Sequence, residues 1–238
     1  MRYLITALAA CALLGACSDS SDSRPDTPPP PEPPPPPEVT DLDSTGIYRG
    51  QIVTDDGNLA LLTVNLARDG VTAVAIDSDD DEVADIVLWG DTSESAGELH
   101  FSGRDGRDGS SVELTFAIDD EVLGATVRVN GLSGEASAPL AADSAAGSAP
   151  EGDYAREDGV GGLTQLSIGA DGSVTLSSPC SGSGELSAAD SAVNLYRLSL
   201  ASDCLNWEAL VSVGSIEGDG AVLTISGADN LDTRLYQP

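Results

Sequence analysis

The chain contains no lysine and one histidine, His100; its ten basic residues are all arginines and stand against forty acidic ones, for a formal charge of -30. Without a basic stripe or patch, DNA and RNA binding are excluded as functions. The same charge repels anionic surfaces and points to a salty milieu, where screening makes such a surface tolerable. One histidine and no lysine also leave little for nucleophilic or general-base catalysis. Aromatics make up 4% of the chain. No apolar run reaches the roughly 20 residues that a membrane-spanning helix needs. Acidity of this degree often marks disorder, but beyond residue 44 Val, Leu, Ile and Ala recur in regular alternation, which argues for a folded chain.

The first stretch with a readable purpose is N-terminal. Arg2 is followed by the short apolar run Tyr3 to Leu14, then by Gly15-Ala16-Cys17 and the polar Ser18-Asp19-Ser20-Ser21-Asp22. A charged start, a short apolar middle and small residues before a cut form a secretory signal. A buried helix is the alternative, but the polar, proline-rich tract that follows offers it nothing to pack on. Leu14-Gly15-Ala16-Cys17 resembles the lipobox of bacterial lipoproteins. The resemblance implies cleavage before Cys17, a diacylglyceryl thioether on its sulfur and a third acyl chain on its new amino group. Two or more chains anchor stably where one does not. In enterobacteria-like sorting, Asp after the cysteine retains a lipoprotein in the inner membrane. Ser18 stands there, which favours the outer membrane of a Gram-negative envelope.

Four cysteines then divide into three roles. Cys11 leaves with the signal and Cys17 carries lipid. Cys180 and Cys204 remain, and in an exported protein a disulfide is their simplest pairing. A metal or redox pair lacks both Cys-x-x-Cys spacing and a nearby histidine.

Composition divides the rest. Residues 17–43 read as a disordered Ser/Asp/Pro-rich tether, with prolines from Pro28 to Pro37 broken only by Glu32. Polyproline II geometry makes that run a stiff spacer of roughly 30 Å. Residues 44–140 read as a first β domain, 141–150 as a linker rich in Ala, Ser and Asp, and 151–238 as a second β domain. The predicted strands of the first are Thr45–Val53, Leu59–Ala67, Val71–Ile76, Asp85–Trp89, Glu98–Ser102, Val112–Ile118 and Leu123–Asn130. Short Asp/Gly turns such as Asp55-Asp56-Gly57-Asn58 separate them. Strands in the second are expected at Leu163–Ile168, Ser173–Leu176, Val193–Leu200, Trp207–Val213, Ala221–Ile225 and Leu231–Tyr236. Period-two alternation predicts an all-β protein: two small antiparallel barrels or sandwiches, each with one wet face. Gly46-Ile47-Tyr48 and Gly152-Asp153-Tyr154 open the two halves alike, a weak echo of duplication.

Two further resemblances are local. Leu166-Ser167-Ile168-Gly169-Ala170-Asp171-Gly172-Ser173-Val174, Pro179-Cys180 with Gly182 and Gly184, Asn194 to Leu200, and Cys204 look like a small all-β module of uncharacterised proteobacterial lipoproteins. It spans about 75 residues and implies architecture without activity. The run Asp77-Ser78-Asp79-Asp80-Asp81-Glu82-Val83-Ala84-Asp85-Ile86-Val87 resembles the calcium loop of FG-GAP-type propeller repeats. Asp77, Asp79, Asp81 and Asp85 would be the ligands, with a backbone carbonyl near Val83, since calcium takes six to eight oxygens. Glu82 stands where that loop has glycine, and a single copy does not imply a propeller. Leu88 occupies the place of an EF-hand's bidentate glutamate. The alternative is an acidic hairpin loop facing water.

Catalytic signals are sparse. A Ser-His-Asp site would require His100, which falls on the wet face of a strand with no nucleophile elbow nearby. Paired carboxylates for glycoside hydrolysis stay open as an alternative. Gly159 to Gly162, Gly182 and Gly184 read as loop glycines, without the strand and helix that a phosphate cradle needs. Tyr48, Trp89, Tyr154 and Trp207 are expected to pack in the cores or at the barrel mouths, the alternative being a ligand-facing ring in a barrel cavity. The reading is a lipid-anchored, non-catalytic binding or scaffold protein of the envelope, the alternative being a calcium-stabilised surface or adhesion protein. Its partner is an envelope protein or a small ligand, and it carries no cofactor unless calcium binds.

Overall fold

In the computed structural model, residues 41–79, 83–129, 131–157, 162–204, 206–216, 220–229 and 231–237 are described. Cys17, the signal, almost all of the tether, Asp81 and Gly159 lie outside these residues. The described chain is strand and turn throughout. β1 (Gly46–Thr54), β2 (Leu59–Leu66), β3 (Val71–Asp77), β4 (Ile86–Ser95), β5 (Glu98–Asp105), β6 (Ser111–Asp119), β7 (Val122–Val129) and β8 (Leu132–Pro139) pair in chain order, and β8 returns to β1. A second closed barrel follows: β9 (Gly152–Glu157), β10 (Leu163–Ile168), β11 (Ser173–Ser178), β12 (Gly182–Ala188), β13 (Leu195–Ser202), β14 (Asn206–Ile216), β15 (Gly220–Gly227) and β16 (Leu231–Tyr236), with β16 returning to β9. The architecture is therefore two up-and-down antiparallel barrels, not sandwiches. Closure removes the exposed sheet edges that would otherwise invite pairing with other chains.

Period two builds both cores. In β6, Val112, Leu114 and Phe116 point inward, and Phe116 meets Phe101 of β5 at a ring separation of 6.4 Å. Ile52, Leu62, Val64, Ile76, Leu88 and Leu123 fill the rest of the first barrel. Leu166, Leu176, Leu198, Leu200, Leu223, Ile225 and Leu235 fill the second. The paired tyrosines serve alike: Tyr48 of β1 and Tyr154 of β9 are both buried, each in its own core. Trp207 also lies in a core, as expected.

Three strands escaped the sequence reading. β8, β9 and β12 carry Gly, Ala, Ser and charged residues with few large apolar ones. Gly182 and Gly184 are thus strand residues, not loop glycines. A Cβ on Gly184 would lie 2.1 Å from the Ser199 carbonyl oxygen across the β12–β13 pair, so only glycine permits that approach.

The expectation of one wet face fails where the barrels meet. β3 is covered on both sides. Val74 and Ile76 enter the first core, while Ala73 and Ala75 lie in clusters outside it. β14 is its counterpart, with Trp207, Ala209, Val211 and Val213 inside the second barrel and Leu210 and Ser212 buried on the outside. One cluster joins Ile47, Ala67 and Ala73 of the first barrel to Val193, Leu195 and Leu210 of the second. Residues 141–150 take part in the junction. The Ser144 hydroxyl accepts the Ile47 N–H (3.0 Å), its carbonyl accepts the Asn194 N–H (2.8 Å), and the Ala146 N–H donates to the Ala192 carbonyl (3.0 Å). Arg68 bonds to Asp190 and Arg197 to Asp69 across the same boundary.

Candidate functional site

The acidic loop follows directly from this arrangement. β3 ends at Asp77, which is 6% exposed, and the chain re-enters the sheet after Asp85. Asp77 accepts the Asp79 N–H at 3.2 Å. Asp85 accepts both the backbone N–H and the hydroxyl of Ser78. Those bonds hold the Asp85 carboxyl below the usual range, aided by the charge of Arg107. The loop therefore turns back on itself, and one carboxylate oxygen from each of Asp77, Asp79 and Asp85 falls within 4.8 Å of the others. Oxygens that share one calcium ion lie no more than about 5.2 Å apart, and this grouping meets that limit. Three of the four aspartates singled out by spacing are brought together; Asp81 is outside the described residues.

The loop is braced on both flanks. On one, the Ala84 N–H donates to Asp232 of the second barrel at 2.9 Å, and the Ser226 hydroxyl donates to the other oxygen of Asp232 at 2.7 Å. Burial pushes the Asp232 carboxyl up, against these bonds and the charges of Arg234 and Arg156. On the other flank, the Gly106 N–H donates to the Val87 carbonyl. There Arg107 makes a two-pronged contact with the fully buried Asp105, at 3.0 and 2.7 Å. A hollow of about 630 Å³ opens at the same barrel end, between Asp55, Asp56, Asn58 and Ser78. No protein-family model, curated protein or solved structure matches this chain.

Cys180 and Cys204 are disulfide-bonded, with Cα atoms 6.1 Å apart. The bond sits just beyond the last β12–β13 pair, Gly182 with Ser202. His100 is exposed on β5, where its ring contact is the Thr115 hydroxyl at 3.5 Å. Trp89 departs from expectation. It lies outside the cores, half-buried on the outer face of β4 beside the inter-barrel cluster. Sequence reasoning also missed the Asp105–Arg107 pair and the inter-barrel Arg68–Asp190 pair. Asp105 did carry a signal: it falls at an inward position of β5, two residues after Gly103 and four after Phe101.

Proposed function

We propose that this chain is a lipid-anchored protein of the Gram-negative envelope, held at the outer membrane through Cys17, and that its folded part is a non-catalytic binding module. One observation carries the reading: Leu14-Gly15-Ala16-Cys17 closes a signal-like run and is followed by a proline-rich stretch and then by two joined barrels. The barrels support it physically. Their interiors are packed with side chains, so recognition falls to their outer faces and ends. The inter-barrel cluster presents those faces as one surface. The test is metabolic labelling with palmitate in a Gram-negative host. The full chain incorporates label and sediments with membranes, while Cys17→Ala does neither. Sedimentation that is independent of Cys17 overturns the anchor.

A second reading, calcium stabilisation, is favoured by the convergence of Asp77, Asp79 and Asp85. The three carboxylates would supply hard oxygen donors, and calcium would offset their mutual repulsion beside the inter-barrel contact from Ala84 to Asp232. A site with a Kd of about 0.1–1 mM contributes about 1.4–2.7 kcal/mol at about 10 mM calcium. For a chain of this size the melting temperature should rise by about 3–10 °C. Magnesium should give much less, because it demands octahedral geometry and sheds water reluctantly. Asp77→Asn should abolish the calcium response. An equal response to both ions removes the reading.

A further inference from the structure

Trp89 is the one large aromatic of the four that neither core absorbs. It stands between two hollows on the outer surface. One, of about 440 Å³, is lined by Asp91, Ser102, Arg104, Ser111 and Glu113 of the first barrel. The other, of about 240 Å³, is lined by Glu185, Ser187, Arg197, Ser199 and Glu208 of the second. Trp89 lines both. The two hollows meet at Trp89, their one shared lining residue, to make a cleft with a sheet face of one barrel on each side.

The pairing registers give the two walls the same pattern. Across β4, β5 and β6, Asp91 is opposite Ser102 and Ser102 is opposite Glu113. Across β12, β13 and β14, Glu185 is opposite Ser199 and Ser199 is opposite Glu208. Each wall therefore presents an acid–serine–acid row, with the backbone positions of its two acids two strand spacings apart, about 10 Å. The adjacent row in each wall carries an arginine, Arg104 beside Trp89 and Arg197 beside Ser187. Both arginines are tethered within the fold, Arg104 to the Gly109 carbonyl and Arg197 to Asp69.

We infer that this cleft binds a neutral pyranose oligosaccharide, stacked on Trp89. An indole face is an apolar platform with a polar rim, suited to the C–H face of a sugar ring. Ring hydroxyls are donors, and carboxylates flanking the platform accept them through charge-assisted bonds. The roughly 10 Å between acids in a row is about the length of two linked pyranose rings. The lining holds four carboxylates against two guanidinium groups, so acidic glycans are repelled. The inference rests on the reading of the folded part as a binding module and not on the lipid anchor, so the two fail separately. A chain that is labelled on Cys17 yet indifferent to sugars loses only this cleft.

The test uses the full chain and four probes: tri-N-acetylchitotriose, cellotriose, maltotriose and tri-galacturonate. Tryptophan emission is read alongside titration calorimetry. Trp207 is 8% exposed inside a core, so a sugar-dependent change in emission reports Trp89. At least one neutral trisaccharide should bind, with a Kd of about 10 mM or tighter, and tri-galacturonate should not. The N-acetylated and plain probes decide whether the ligand is an amino-sugar backbone or a simple glucan. Trp89→Ala should weaken binding at least about tenfold, and Trp89→Tyr should keep it within about threefold. Should Trp89→Ala fail to fold, Glu113→Gln and Glu185→Gln carry the test, each weakening binding by about fivefold with an unchanged circular dichroism spectrum. Failure of all three neutral probes, preference for the uronate, or binding indifferent to Trp89 and to both glutamates overturns the proposal.

Discussion

Gly50→Ala is expected to break the closure of the first barrel. Gly50 lies on β1 where that strand meets both β2 and β8. A Cβ there would lie 2.0 Å from the Ser137 carbonyl oxygen and 2.5 Å from the Ala138 Cα. Both are backbone atoms of β8, so no side chain can swing away; the strands themselves must separate. That threatens the four β1–β8 residue pairs from Gln51–Ser137 to Thr54–Gly134, which close the barrel. The expected loss is about 3 kcal/mol or more, a fall in melting temperature of about 6–12 °C. Gly124→Ala is the control. Gly124 is also a strand glycine, on β7, but the nearest atoms to its Cβ would be 3.9 Å away. The same methyl group there should be neutral or stabilise by about 0.5 kcal/mol, because it restricts the unfolded chain. Differential scanning calorimetry of both variants gives the comparison; similar melting temperatures would show that the β1–β8 seam yields easily.

The second large effect is expected from Cys180→Ser combined with Cys204→Ser. The disulfide closes a loop with a sequence separation of 24. Chain entropy gives such a loop about 3.5 kcal/mol at 25 °C. Of the two strands inside that loop, β12 and β13, the first needs the help. β12 reads Gly-Ser-Gly-Glu-Leu-Ser-Ala, and only Leu186 among its side chains is buried. It meets β11 over four residue pairs, from Ser173–Glu185 to Leu176–Gly182. The far seam of the same barrel is short as well, with Tyr236 registered on Ala155. The double variant should melt about 7–14 °C lower. Hydrogen exchange should show β12 amides exposed first, well before those of β6 and β7 in the other barrel. Uniform loss of protection across both barrels would falsify the local account and place the effect in the unfolded state alone.

Legibility of the fold tracked the size of the inward residues. β6 and β7 could be read because Val112, Leu114, Phe116, Leu123, Val127 and Val129 mark their faces with large apolar groups. β12 could not, since Gly182 and Gly184 occupy positions of close backbone approach, and glycine there looks like a turn. The acidic loop was legible in part, because carboxylate spacing is a local property. Its bracing by Asp232 was not, because that contact joins residues 148 positions apart.

By itself the sequence determined the all-β class, the inward faces of most strands, the partnership of Cys180 with Cys204 and the acidic loop at the end of β3. Each is set by neighbours in the chain or by residue chemistry alone. Only the tertiary structure decided which outer face is wet. Asn65 and Ser212 sit at outward strand positions, yet both are fully buried, and neither side chain has a hydrogen-bond partner among the described residues. Alternation tells the inside of a barrel from the outside; it carries no information on whether a second barrel covers that outside. The same blindness hid Trp89, whose place at the rim of the junction exists only once the two barrels have met.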